Sequence, residues 1–169
     1  MKAGRRPRFL AKDELFKIPV VGTVLRGANQ IPVDRGSSDV TPLRTAGTAL
    51  AAGEVVVIYP EGTVTNHPES LPMRGKTGAV RLSLTSGVPI TPLASWGSQA
   101  VWQKSGKGSL KFGRPVWSKV GEPIDFSDRV DQANDREALH EMTEQLMGAL
   151  TALVEDLRSR YPRRWADDG

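Results

Sequence analysis

The chain has 169 residues, with 23 Lys plus Arg against 19 Asp plus Glu, a net charge of +4; that length suits a single domain and suffices to bury a core without staples. Hydrophobic residues at 38% and charged residues at 25% are an ordinary globular balance, which argues against disorder throughout. The absence of cysteine excludes disulfides, thiolate metal sites, Cys-ligated iron–sulfur clusters and a Cys nucleophile.

Arg8 to Lys12 reads as a short strand. Asp13 to Gly27 reads as short helical turns interrupted by Pro19. Asn29 to Asp34 is a strand that Pro32 demotes towards an edge or an irregular ladder. Ser38 to Ala52 is a helix, because Val40, Leu43, Ala46 and Leu50 fall three or four apart and Gly53 stops it. Val55 to Ile58 is a β-branched run of the kind buried on both faces of a sheet. Pro60 to Lys76 is a long polar loop, Thr77 to Ser86 a helix ended by Gly87, and Val88 to Ser95 and Leu110 to Val116 are strands. Last comes a long helix with a capping-box-like Asn134 and Glu137. Leu139, Met142, Leu146, Leu150, Leu153 and Leu157 form its core seam, and Pro162 ends it. Alternating strands and helices predict an α/β fold: a mixed, largely parallel sheet flanked by helices, with a long C-terminal helix. The 17 glycines and 12 prolines agree with many turns.

The longest apolar stretches, Val55 to Tyr59 and the broken run Ile18 to Leu25, fall well short of the roughly 20 residues that cross a bilayer. Lys2, Arg5, Arg6 and Arg8 lead the chain without an apolar signal core behind them, so the chain is read as cytoplasmic. That basic end is either a solvated terminus or a contact for anionic lipid or nucleic acid.

Three local patterns imitate known sites. Arg74-Gly75-Lys76-Thr77 resembles the end of a phosphate-binding P-loop, but the earlier Gly of that pattern is Ser70 and no strand precedes it. His140-Glu141-Met142-Thr143-Glu144 has Glu144 where a zinc helix needs its second His. Only one other His, His67, exists, so no metal site is expected. Lys and Arg are scattered without an aromatic-interleaved basic motif, so nucleic acid is not an expected partner.

Tyr59-Pro60-Glu61-Gly62-Thr63 directly follows the Val55 to Ile58 strand. Pro60 sets the exit of the strand. Glu61 places a carboxylate at the carboxyl end, where open α/β sheets put their ligands. Gly62 permits close approach of backbone to a ligand, and Thr63 adds a hydroxyl. A plain strand-to-turn exit with an exposed Glu explains the segment equally well.

Phe9 to Phe16 with Pro19 and Gly22, Ile31-Pro32-Val33-Asp34-Arg35, Tyr59 to Thr63, Met73 to Gly78, and Gly87 to Leu93 occur in that order. Together, over roughly residues 8–130, they resemble the glycerolipid acyltransferase family, specifically the 1-acyl-glycerol-3-phosphate (lysophosphatidate) acyltransferases. The resemblance implies acyl transfer from acyl-CoA or acyl-carrier protein to a lysophospholipid, giving phosphatidic acid, with no further cofactor. It implies peripheral contact with the inner face of the membrane. Phe16, Ile18, Val20, Val21, Val24 and Leu25, flanked by Lys17 and Arg26, form either an interfacial patch or a packed helix pair.

By the same resemblance Arg35 binds the acceptor phosphate, and Lys12 lies near that phosphate. Glu61, Gly62 and Thr63 shape the acceptor site, and Pro92 lines the acyl route. Two positions depart mildly from the family: Tyr59 replaces a common Phe, and Asn29 replaces a Gly. One departure bears on chemistry. The family's general base is the His of a His-x-x-x-x-Asp motif upstream of the first strand. Five positions after His67 stands Pro72, and five after His140 stands Gln145. No catalytic residue is therefore assigned within the chain. The expectation is a single acyltransferase-like domain over residues 1–169, N-terminally truncated. The alternatives are a non-catalytic lipid-phosphate binding relative and a basic nucleic-acid binding protein.

Overall fold

The computed structural model describes residues 5–34, 39–98 and 115–162. The elements are β1 (Pro7–Lys12), α1 (Asp13–Lys17), α2 (Pro19–Gly27), β2 (Ile31–Val33), α3 (Thr41–Ala51), β3 (Val55–Val57), α4 (Gly78–Ser86), β4 (Leu93–Trp96), β5 (Trp117–Val120), a 3-10 turn (Ser127–Gln132) and α5 (Arg136–Arg160). Among the described residues the strands make two sheets. β1 lies between β2 and β3, all parallel, while β4 and β5 form an antiparallel pair. The fold is thus α/β and mixed, with the long C-terminal helix in place.

Local chemistry accounts for the boundaries. Pro19 cannot continue α1, since it lacks the N–H a helix interior needs, but it suits the first turn of α2. Gly22 is required where the two helices meet, because a Cβ there would strike the Phe16 carbonyl oxygen. Gly87 ends α4 in the left-handed region at φ +67. Asn29 leads into β2 at φ +54, a conformation that Asn tolerates better than other side-chain-bearing residues. That explains how Asn stands at a position where the family favours Gly.

Three expectations need correction, and a fourth lies mostly outside the described residues. Val55 to Ile58 is not buried on both faces: Val55 is 39% exposed and its neighbours are half-buried. β3 lies at a sheet edge, so only Val56 and Ile58 reach the core around Ile31, Ala46 and Leu82. The strand expected over Val88 to Ser95 shortens to β4, with one isolated bridge between Ile90 and Ile124, because Pro89 and Pro92 have no N–H for a ladder. The strand expected over Leu110 to Val116 lies mostly outside the described residues. The observed strand follows Pro115, at Trp117–Val120. Finally, α5 is capped by Asp135 rather than Asn134. The Asp135 carboxylate accepts from the amides of Glu137 and Ala138 at 2.9 and 3.2 Å.

The core is built along α5. Leu139, Met142 and Leu146 pack with Val80, Leu84 and Phe126. Leu153, Val154 and Leu157 pack against Ala94 and the Trp96 and Trp117 side chains of the β4–β5 pair. Polar ties support these contacts. Lys119 of β5 donates to the Asp156 carboxylate at 2.7 Å, and Arg129 holds Glu141 with two bonds of 3.2 and 3.1 Å.

The Lys119 hydrogen bond holds the Asp156 pKa below its usual 3.8, and the Arg129 hydrogen bond holds Glu141 below 4.5. A carboxylate depressed on folding stabilises the fold above its unfolded pKa, and loses that contribution as pH falls through the folded value. The melting temperature is therefore expected to be level near neutrality and to fall below about pH 4. Asp156→Asn should lower it at neutral pH and flatten part of the acid loss, as read by circular dichroism melts. An identical pH profile in the variant would remove Asp156 from this account.

Candidate functional site

In a parallel sheet the carboxyl ends of all strands lie on one edge. Here that edge carries Lys12 at the end of β1, the exit of β2 at Asp34, and the turn after β3 that holds Glu61 and Gly62. It is the edge at which open α/β sheets place their ligands. The structure therefore gathers Lys12, Glu61, Gly62 and Thr63 at one edge of the molecule. Arg35, the expected phosphate ligand, lies outside the described residues. Pro92 does not join the group. It is buried at the start of β4, its carbonyl accepts from the Gly121 amide at 2.8 Å, and it belongs to the second sheet.

Lys12 is half exposed and pairs with Glu14 at 2.9 Å. A surface pair of this kind contributes little, so its ammonium is available to an incoming anion. Glu61 does something the sequence does not show. Its carboxylate accepts the Met73 amide at 3.0 Å, twelve residues on. One strand-exit residue away, the Pro60 carbonyl accepts the Lys76 amide at 2.8 Å. These two bonds close the loop from Pro60 to Lys76 at its base. Inside it, the Thr65 hydroxyl donates to the Leu71 carbonyl at 2.7 Å. Glu61 thus acts as a buckle that positions the loop.

Gly62 occupies the left-handed region at φ +67, and its amide donates to the Tyr59 carbonyl at 3.0 Å. A Cβ at Gly62 would meet Lys76 Cε at 3.3 Å and Nζ at 3.4 Å, so the Lys76 side chain lies across the turn. Thr63 is exposed beside it. Gly75 is buried against α5, where a Cβ would come within 2.8 Å of Met147 Sδ and 3.0 Å of Thr143 Cγ2. The lack of a side chain at Gly75 lets the backbone between Arg74 and Lys76 rest on α5.

Beside the Glu61 turn lies a cavity of about 560 Å³, lined by Glu61, Arg74 to Thr77, Arg81, Arg136, Leu139 and His140. Sequence reading missed the contributions of Arg81, Arg136 and His140. One signal was present: Arg136 and His140 are one helical turn apart and share a face. Nothing in the sequence says that this face meets the loop. Among the described residues no three His, Asp or Glu side chains gather as metal ligands. His67 is exposed, and its Nδ1 accepts the Glu69 amide at 3.3 Å.

Parallel strands with Lys12, Glu61 and Gly62 at their carboxyl edge form an α/β site, and the comparisons give its class. The family model described as Acyltransferase matches residues 1–96. A 1-acyl-sn-glycerol-3-phosphate acyltransferase of Bacillus subtilis (strain 168) is 32% identical over 152 residues, covering 90% of this chain and 69% of the relative. The chloroplastic 1-acyl-sn-glycerol-3-phosphate acyltransferase BAT2 of Brassica napus is 27% identical, covering 86% of this chain and 42% of the relative. The crystal structure of the 1-acyl-sn-glycerophosphate (LPA) acyltransferase PlsC from Thermotoga maritima superimposes with a TM-score of 0.61 at 26% identity, covering 94% of this chain and 59% of that one. The chain belongs to the acyltransferase family, among the glycerolipid acyltransferases of the 1-acyl-glycerol-3-phosphate type. It spans less than two thirds of the Brassica and Thermotoga proteins.

Three substitutions separate the roles in the turn. Glu61→Ala leaves the Met73 amide without its charged acceptor and should cost about 1.5–3 kcal/mol, whereas Glu61→Gln keeps an oxygen acceptor and should cost less. Gly62→Val places a branched side chain at positive φ and against Lys76, and should cost about 1–3 kcal/mol. Denaturant melts of the three variants check this; a Glu61→Ala midpoint equal to the parent's would show that the buckle carries no stability.

Proposed function

We propose that this chain carries the acceptor side of an acyl transfer from acyl-CoA or acyl-carrier protein to 1-acyl-glycerol-3-phosphate, giving phosphatidic acid. The observation that supports this most is the assembly of Lys12, the β2 exit and the buckled Glu61–Gly62 turn on one carboxyl edge, in a chain of this family. Lys12 and Arg35 supply cations for the acceptor phosphate. Arg35 suits that role because a guanidinium meets two phosphate oxygens with a planar fork. Glu61 shapes the site through the loop it closes, and Gly62 leaves the backbone open beside it.

The acceptor hydroxyl is a poor nucleophile at neutral pH until a base removes its proton. His is the side chain best matched to that task. Within these 169 residues no His precedes an Asp at the family spacing, and among the described residues neither His67 nor His140 is hydrogen-bonded to a carboxylate. In this reading the 169 residues bind and position the acceptor but do not supply the base. General-base catalysis contributes roughly 10²- to 10⁴-fold, so these residues alone should show no appreciable turnover.

The α1–α2 hairpin supports contact with a lipid surface. It leaves the carboxyl end of β1, the edge that carries the site, and Val20 and Val24 of α2 are 76% and 64% exposed. An apolar helix face this open, with Lys17 and Arg26 beside it, suits the bilayer interface. No described helix is long and apolar enough to cross a membrane.

Three measurements test the reading. Arg35→Ala should weaken lysophosphatidate binding by about 1.5–3 kcal/mol; unchanged binding would sink that assignment. Thiol release from acyl-CoA with lysophosphatidate should be absent for the 169 residues and present in a form extended upstream that carries His-x-x-x-x-Asp. Robust turnover by the 169 residues alone would place the base within them, and an inactive extended form would overturn the acyl-transfer reading. Val20→Asp with Val24→Asp should reduce sedimentation with anionic vesicles while leaving the melting temperature near the parent's, since neither side chain is packed; equal sedimentation would show that α2 does not face lipid.

A further inference from the structure

The cavity beside the Glu61 turn holds an unbalanced charge. Arg74 and Lys76 enter it from the end of the buckled loop, Arg81 from the first turn of α4, and Arg136 from the first turn of α5, with His140 one turn further on. None of the four Arg and Lys side chains makes an ion pair or a side-chain hydrogen bond with a described residue. Among the described residues the one carboxylate lining the cavity is Glu61, and one of its oxygens is engaged by the Met73 amide. Four cations held around one concavity repel one another and raise its positive potential. Their positions are built rather than incidental. The 74–76 backbone is pressed against Met147 and Thr143 through Gly75, and Arg81 and Arg136 stand on helices joined by a shared core.

The charge count selects the ligand. A phosphate monoester carries about −1.5 to −2, which two cations balance. Four cations match two or more phosphoryl groups on one molecule. The concavity favours a small molecule over a flat lipid surface or a folded protein domain. The first turn of α4 adds its amides, since its N-cap Thr77 makes no side-chain capping bond. Lys12, at the strand edge, does not line this cavity.

We propose that this cavity binds the polyphosphate end of the acyl donor, a small molecule of coenzyme A type bearing a diphosphate and a further phosphate, through Arg74, Lys76, Arg81 and Arg136. The inference rests on the acyl-transfer reading above. It places donor phosphates in the cavity beside the Glu61–Gly62 turn and the acceptor phosphate at a separate site at Lys12, which does not line that cavity. It also selects coenzyme A over a carrier protein as the donor.

The test is a calorimetric titration of the 169-residue chain with free coenzyme A, with pantetheine, and with lysophosphatidate. Coenzyme A should bind, more weakly as salt rises, and pantetheine, which has no phosphate, should not. The double variant Arg81→Gln/Arg136→Gln should lose about tenfold in coenzyme A affinity for each charged contact removed, and should keep its lysophosphatidate affinity. Arg81→Lys/Arg136→Lys should keep most coenzyme A binding, and melts of both variants should match the parent, because neither arginine has an ion-pair or side-chain hydrogen-bond partner among the described residues. Arg35→Ala should show the reverse pattern, losing lysophosphatidate and keeping coenzyme A. The proposal is overturned if coenzyme A does not bind the parent, if the Gln variant binds it equally well, or if pantetheine binds as tightly. It is equally overturned if the Gln variant loses lysophosphatidate instead, which would make the cavity an acceptor site. Failure of the acyl-transfer reading shows elsewhere, in an inactive extended form.

Discussion

The burial of one apolar stripe along α5 is the constraint on which the rest of the molecule depends. At 25 residues the helix is about 37 Å long, and its two halves serve two cores. Its first half joins α4 and the 3-10 turn, while its second half covers the antiparallel β4–β5 pair. Among the described residues the two sheets share no strand: α5 covers the β4–β5 pair, and α4, packed on both α5 and α3, carries the connection to the parallel sheet. Each fully buried Leu or Met contributes about 1.5–3 kcal/mol, and the seam holds several. Ends and edges then follow from local chemistry: Asp135 caps the start, and the Tyr161 hydroxyl ties the far end to the Pro115 carbonyl at 2.7 Å.

The same helix positions chemistry far from its own sequence. Gly75 rests between Thr143 and Met147, so packing on α5 sets the height at which Arg74 and Lys76 project. The opposite end of the loop is set by the strand exit, through Glu61 and Pro60. A long polar loop anchored at its base and docked through a glycine is held far more firmly than its composition implies. Sites that recognise phosphate by placement of charge need that rigidity, because a mobile cation loses its advantage to solvent screening.

The carboxyl edge of the parallel sheet organises access. α1 begins there directly after Lys12, and the exposed apolar face of α2 belongs to the same hairpin. The exposed apolar face of α2 and the Lys12 cation therefore share one edge. An amphipathic ligand fits such an edge, because its apolar part stays with apolar surface while an anionic head meets cations.

Local periodicity and turn chemistry, which act between residues close in sequence, determined much of this protein. The spacing of Leu139 to Leu157 predicted α5, Pro19 split α1 from α2, and Gly62 marked the exit from β3. The ordered short motifs point to the family because each is a contiguous segment whose pattern is legible locally. Non-local pairing was decided only in three dimensions. The β-branched run at Val55 reads as fully buried, yet β3 lies at an edge, and burial depends on neighbours that no local pattern names. The Trp-Ser-Lys-Val of β5 carries no apolar run, and becomes a strand because Trp117 and Lys119 find α5. The carboxylate of Glu61 reads as a ligand group and turns out to hold an amide twelve residues away. Arg81 and Arg136 stand on separate helices, and meet Arg74 and Lys76 only because the apolar faces of α4 and α5 pack together. Charge follows wherever the backbone is carried by core packing, so a site assembled from three separate elements exists only once the core has formed.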